Sequence, residues 1–132
     1  MTSVEPRTSP VKSWLVAARL FAVLTVATVV LLFGTAGVLV QQNEALDLHG
    51  TGALLLHVTS GLLTLTLAFL AWRGAVSWIG AVVAGVLLLL SLVQASLGSA
   101  DSLNLHVPGA FVITAMAVGL AVWLFARRTK AD

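Results

Sequence analysis

The sequence predicts an all-α integral membrane domain, a four-helix up-down bundle made of two parallel-related two-helix repeats. Three observations predict it. Four long charge-free apolar runs are separated by short polar segments. Every lysine and arginine falls on one side of those runs. A short histidine-bearing motif at the start of the second run recurs at the start of the fourth.

Composition fixes the solvent. Of 132 residues, 59% are apolar and 9% charged, whereas a soluble domain carries about 25% charged residues. Such a chain cannot cover a globular exterior with polar side chains, so most of its surface must face lipid. The net charge of +2 is spread over seven cations that form no stripe, which excludes a nucleic-acid surface. With no cysteine, disulfides, thiolate metal sites, covalent haem attachment and cysteine catalysis are excluded as well.

Residues 1–13 are polar, contain Pro6 and Pro10, and read as a tail; residues 14–130 form the transmembrane domain. The first helix covers about 14–40, and its charge-free core from Leu20 to Gln41 is long enough for a ~30 Å hydrocarbon layer. Its basic start and the small residues Gly34 and Ala36 also suit a cleavable signal, but the apolar run continues through Val40, so a retained span is expected. Gln41, Gln42, Asn43, Glu44 and Asp47 make a polar loop, and the second helix follows at 48–72. Arg73 and Gly74 form a tight turn that folds the third helix, 75–98, back beside the second. A loop at 99–104 leads to the fourth helix, 105–126. Continuous apolar sequence, rather than two-residue alternation, selects helices over barrel strands.

Orientation follows from charge. Arg7, Lys12, Arg19, Arg73, Arg127, Arg128 and Lys130 share one side, while Glu44, Asp47 and Asp101 occupy the other two loops without a cation. The positive-inside rule puts both termini in the cytoplasm of a cell with a multi-pass plasma (bacterial inner) membrane protein. Trp14, Trp72, Trp78 and Trp123 gather at the same cytoplasmic ends, where an amphipathic ring suits the interface.

The halves are related through Leu46-Asp47-Leu48-His49-Gly50-Thr51-Gly52-Ala53 and Leu103-Asn104-Leu105-His106-Val107-Pro108-Gly109-Ala110, identical at five of eight positions. A parallel repeat about the membrane normal puts His49 and His106 at equal heights on opposite sides of a pseudo-twofold axis. His57 lies ~12 Å deeper on the second helix and about 80° round from His49, so both rings reach the bundle interior. An ionisable residue inside a span is a functional candidate by default. For His49 and His106 the competing reading is an interfacial ring at a helix start. For His57 it is a packed ring bonded to Gln94 or Ser91.

The remaining polar residues read as packing. Gln94, Thr59, Ser60, Thr64, Thr66, Ser91, Ser96 and Thr114 are expected to hydrogen-bond between helices, and Gly80/Ala84, Ala81/Gly85 and Ala115/Gly119 to permit close approach. Pro108 is expected in the first turn of its helix, where it forfeits no bond, with Asp101 or Ser102 as cap. No Asp, Glu, Lys or Arg lies at mid-membrane depth, which disfavours a proton-coupled transporter. No nucleophile–base pair or phosphate loop is visible.

Val93-Gln94-Ala95-Ser96-Leu97-Gly98 followed by Leu105-His106-Val107-Pro108-Gly109-Ala110 resembles the third and fourth helices of one half of the haem A synthase family. Gly34-Thr35-Ala36-Gly37, His49-x-x-Gly52 and His57-x-x-x-Gly61 are looser matches. The chain is equally similar to small bacterial four-helix membrane proteins with a histidine on helices two and four. In the family each half is a four-helix bundle whose second and fourth helices supply paired histidines to a haem. Gly50 follows His49 where the family has a His-Arg pair, and the second bundle is missing.

The resemblance and the repeat together imply haem b between helices two and four, held through its iron by His106 with His49 or His57, for electron transfer or haem handling. Symmetry favours His49, because the counterpart of His57 is Thr114; depth favours His57. His49 is preferred by a small margin. Such a role implies a membrane redox or haem-pathway partner besides the lipid bilayer. The alternatives are a cofactor-free accessory or scaffold subunit and, less favoured, a small transporter.

The segregation of cations makes a direct prediction. Single cysteines at Asn43→Cys and Asp101→Cys should react with an impermeant thiol reagent in intact cells, and Gly74→Cys only after permeabilisation. Labelling of Gly74→Cys from outside would refute the orientation.

Overall fold

The computed structural model describes residues 10–98 and 102–127, which form α1 (Pro10–Gln42), α2 (Leu46–Trp72), α3 (Trp78–Ser96) and α4 (Leu103–Ala126), with no strand among the described residues. All four helices are long and apolar enough to cross a membrane. Residues 1–9 of the expected tail, the loop cation-free segment around Asp101, and Arg128 and Lys130 lie outside the described residues.

The helix ends differ from the sequence expectation in ways that local chemistry explains. α1 begins at Pro10 rather than 14, because proline at a first helical position lacks only an N–H that has no partner there. It runs on to Gln42, and the chain then reverses through Asn43 (φ 55°) and Ala45 (φ 66°). A left-handed alanine costs ~1–2 kcal/mol, and the reversal sets the start of α2 directly against the end of α1. α2 ends in a Schellman cap: Gly74 at φ 68° donates to the Ala71 carbonyl at 2.9 Å, and Ala75 donates to Leu70 at 2.9 Å. α3 starts at Trp78, three residues later than expected, because the Ser77 hydroxyl accepts from the Ile79 N–H at 3.3 Å and caps it there. α4 starts at Leu103, so Pro108 sits inside the helix and not in its first turn. The ring therefore leaves the Asn104 carbonyl without its helical donor, at an exposed end where the loss is tolerated. Ser102 stands at the N-cap position, but its hydroxyl donates to Leu97 O at 2.7 Å and does not cap α4.

Each helix packs against two others, α1 on α2 and α4, and α3 on α2 and α4, while the diagonals α1–α3 and α2–α4 stay apart. The contacts join the start of α1 to the end of α2 through Trp14 and Phe69, with ring centroids 4.5 Å apart. They join it to the end of α4 through Arg19, whose Nε donates to Leu124 O at 3.2 Å and Nη2 to Arg127 O at 2.9 Å. Arg19 thus satisfies carbonyls that α4 leaves open and sets a cation against the negative end of its dipole. The Arg19 guanidinium also lies 5.5 Å from the Phe125 ring centre, and that of Arg127 lies 4.1 Å from Trp123.

The buried positions alternate three and four apart: Leu15, Ala18, Ala22, Thr25 and Val29 on α1; Gly52, Leu56, Thr59, Leu63, Thr66 and Leu70 on α2; Ile113, Ala117, Leu120 and Leu124 on α4. This is the seam spacing of packed helices. Many of these residues are small or carry a hydroxyl, whereas Val30, Leu65, Ile79, Val122 and Phe125 point outward. Only 22% of the apolar window of α4 is buried within the molecule, so the rest of that helix presents its large side chains outside the bundle. Gly80 and Ala84 pack inward as expected. Ala115 and Gly119 do not, and both are exposed.

The hydroxyls also depart from expectation. Thr25, Thr28, Ser60, Thr64, Thr66, Ser91 and Thr114 donate to carbonyls three or four residues back in their own helices, at 2.6–2.9 Å. They do not tie helices together. A threonine that satisfies itself in this way behaves as a small apolar residue and lets neighbouring backbones approach.

Polarity therefore does not separate inside from outside, and both small and large side chains, Ala84 and Leu87 among them, are fully buried. Ala84→Leu, at a position with no exposed surface, should destabilise by about 1–3 kcal/mol through overpacking. Ala115→Leu on the exposed face should leave the melting temperature in detergent unchanged. Equal melting of the two variants would contradict this packing.

Candidate functional site

The diagonal gap between α2 and α4 is filled by side chains toward the Trp72 end and left open toward the other. Leu63, Leu67, Leu70, Leu87 and Leu124 are fully buried in the closed half. The open half holds a cavity of about 910 Å³ whose walls include His49, His57, His106, Gln94 and Ser91, with Val29, Leu32, Leu56, Ala110 and Ile113 as apolar lining. This volume lies in the range of small-molecule and cofactor sites. The three histidines singled out in the sequence thus border one space.

His49 and His106 are held in the same manner. His49 Nδ1 lies 2.9 Å from Thr35 Oγ1 on the preceding helix. The Thr35 proton is already directed to the carbonyls of Leu31 and Leu32, at 3.0 and 3.1 Å. With the proton on one of these carbonyls, the hydroxyl oxygen accepts and His49 donates from Nδ1. His106 Nδ1 lies 3.0 Å from the backbone oxygen of Gln94, again on the preceding helix. A carbonyl has no proton to give, so His106 also donates from Nδ1. In both neutral rings the proton is assigned to Nδ1, which leaves the lone pair on Nε2.

The glycine three residues after each histidine completes the motif. A Cβ on Gly52 would stand 3.0 Å from the Leu32 side chain of α1, and one on Gly109 would overlap the Gln94 amide of α3. Each glycine lies on nearly the same face as its histidine, three residues along the helix. The Leu-x-Leu-His-x-x-Gly-Ala pattern thus has a physical reading: the glycine leaves room for a side chain of the preceding helix, and the histidine hydrogen-bonds to that helix.

His57 differs. Its Nε2 is buried without a hydrogen-bond partner, and it is bonded to neither Gln94 nor Ser91. Gln94 Oε1 is buried and unpartnered too. Sequence reasoning found the histidines and Gln94 but missed Thr35, whose role depends on a reversal at Ala45 that no residue type announces. It also missed the Gln94 carbonyl, since any residue there would supply one.

Among the described residues no three His, Asp or Glu side chains cluster to hold a metal ion. No protein-family model matches the chain, and comparisons with curated proteins and with solved structures also returned no match.

Proposed function

We propose that this protein binds haem b in the cavity between α2 and α4, with His49 and His106 as axial ligands, in the service of electron transfer or haem handling. The observation that carries the proposal is the matched state of the two imidazoles. Each has Nδ1–H donated to the preceding helix and Nε2 turned to no other partner, in one apolar cavity. Iron takes a neutral imidazole through its lone pair, and a hydrogen bond at the other nitrogen fixes the tautomer and makes the ligand more basic.

Thr35 and the Gln94 carbonyl orient the ligands, while Gly52 and Gly109 leave room for the Leu32 and Gln94 side chains. Leu56, Ala110 and Ile113 exclude water. Held between two such rings, haem supplies a one-electron ferric–ferrous couple, tuned by axial ligand and burial. The residues present fit that group, and the resemblance to a haem A synthase half points the same way.

The same reading carries the topology. The chain is an up-down bundle of two parallel repeats in the plasma membrane, termini cytoplasmic, with the cavity toward the outer face. Support comes from the paired motif, from the equivalent anchoring of its two histidines and from the cation side marked by Arg19, Arg73 and Arg127.

Protein purified from cells with ample haem should show a Soret band and, on reduction, the paired visible bands of six-coordinate low-spin haem. His49→Ala and His106→Ala should each abolish that spectrum, and His57→Ala should retain it. Loss in His57→Ala with His49→Ala unaffected would transfer the ligand role to His57. A colourless preparation, or full retention in all three variants, would remove the haem reading and favour a cofactor-free accessory subunit.

A further inference from the structure

Gly119 does not pack inward, yet it lines a second, smaller cavity of about 230 Å³ in the seam between α3 and α4. A Cβ at Gly119 would meet nothing within 4 Å, so no neighbouring side chain requires a glycine there. The missing side chain keeps the seam open. Gly119 and Ile79 are both exposed, so the cavity is a groove that opens on the outside of the bundle.

Both helices build the groove. Gly80 of α3 is buried under the far edge of the Trp123 ring, and a Cβ there would stand 2.5 Å from Trp123 Cη2. The indole thereby reaches across from α4 and forms one end of the groove. From that end Leu120 and Met116 on α4, with Val83 on α3, carry the walls about 10 Å toward the middle of the span. Every lining side chain is apolar, and none is shared with the cavity that holds the histidines. The volume falls below the range of drug-sized ligands and cofactors. A space two helical turns long and this small suits a single hydrocarbon chain.

At the Trp123 end stands a cation without a counter-charge. The Arg127 guanidinium lies 4.1 Å from the Trp123 ring centre and makes no hydrogen bond or ion pair among the described residues. Arg19 differs, because its guanidinium is committed to the Leu124 and Arg127 carbonyls. The described carboxylates, Glu44 and Asp47, lie at the opposite end of the bundle, where α1 meets α2. Stacking on indole holds the guanidinium in place but does not neutralise it, and its N–H donors remain for an acceptor from outside. Phosphate oxygens match that fork of donors in geometry and in sign.

A cation at the end of the span and an apolar groove leading inward from it complement the two parts of one amphipathic molecule. We propose that the α3–α4 seam binds an anionic phospholipid from the leaflet on the Arg127 side, its phosphate on Arg127 and one acyl chain in the groove over Gly119. Net charge selects among lipids. A zwitterionic headgroup brings its own cation to its phosphate, whereas phosphatidylglycerol leaves that charge to Arg127. The site goes beyond the haem reading and stands whether or not haem is bound.

The test is native mass spectrometry of the full chain in detergent, titrated with dioleoylphosphatidylglycerol and separately with dioleoylphosphatidylcholine. The first phosphatidylglycerol should bind more tightly than the first phosphatidylcholine. Arg127→Gln should weaken phosphatidylglycerol binding about tenfold and remove the preference. Arg127→Lys keeps the charge and should retain much of it, which tells a charge effect from a structural one. Gly119→Leu, whose Cβ meets no neighbour, should weaken both lipids by occupying the groove. Lys12→Gln removes an exposed cation of α1 at the same end and should bind as the unaltered protein does. Equal losses in Lys12→Gln and Arg127→Gln would mean a response to net charge alone and overturn the proposal. So would unaltered binding in Gly119→Leu, or displacement of the lipid by millimolar inorganic phosphate, which has no chain to seat.

Discussion

Lipid offers no hydrogen bonds, so every polar group taken into the bilayer must find its partner within the chain or on a bound molecule. The helices meet this demand for their own backbones. The threonines and serines meet it by turning back onto carbonyls of the turn before. Arg19 meets it by capping α4, where the last carbonyls would otherwise lie open near the membrane. His49 and His106 meet half of it, through Nδ1 alone. What is left over belongs to four residues that wall one cavity: His49, His106, His57 and Gln94.

That distribution explains which parts of the fold were legible from residue types. Four charge-free runs and the cation pattern specify the helices because length and solvation alone decide them. Helix ends were less legible, because they turn on single residues. Ser77 stops α3 from starting at Ala75, whereas the left-handed Ala45 has no compositional mark. The buried faces were hidden for a different reason. In water, a helix announces its inner face by apolar contrast; in lipid, both faces are apolar and that contrast is lost. Leu63, Leu67 and Leu87 are inside, while Val30, Leu65 and Phe125 are outside. Ala115/Gly119 has the spacing of a packing pair and yet is exposed, so small-residue spacing by itself does not identify the face that packs.

The candidate site was legible where it repeats. Two copies of Leu-x-Leu-His-x-x-Gly-Ala singled out His49 and His106 without any structure. The structure adds why glycine belongs in the pattern, since a Cβ at Gly109 or Gly52 would displace the Gln94 or Leu32 side chain that rests there. Thr35 has no counterpart in the other half, where a backbone carbonyl does the same work. Two halves thus reach one chemical result, an Nδ1–H imidazole, through different acceptors. A repeat read only as matched letters cannot reveal such an equivalence, because it resides in hydrogen-bond direction.

The cavity also follows from how the core is divided. Toward the Trp72 end, leucines of α2, α3 and α4 are long enough to meet across the diagonal and close it. Toward the other end the inward positions are held by Gly52, Ser91, Ala110 and histidines that reach sideways to a neighbouring helix. A side chain bonded to the adjacent helix does not fill the space toward the opposite one, so the anchoring that orders the imidazoles also keeps the diagonal open. Filling the gap with leucine would improve packing density but would bury the free ring nitrogens against hydrocarbon, leaving them unsatisfied. Stability and site therefore occupy different halves of the same bundle. The closed half holds the helices at fixed spacing, and the open half uses that spacing to present polar atoms that the chain itself does not satisfy.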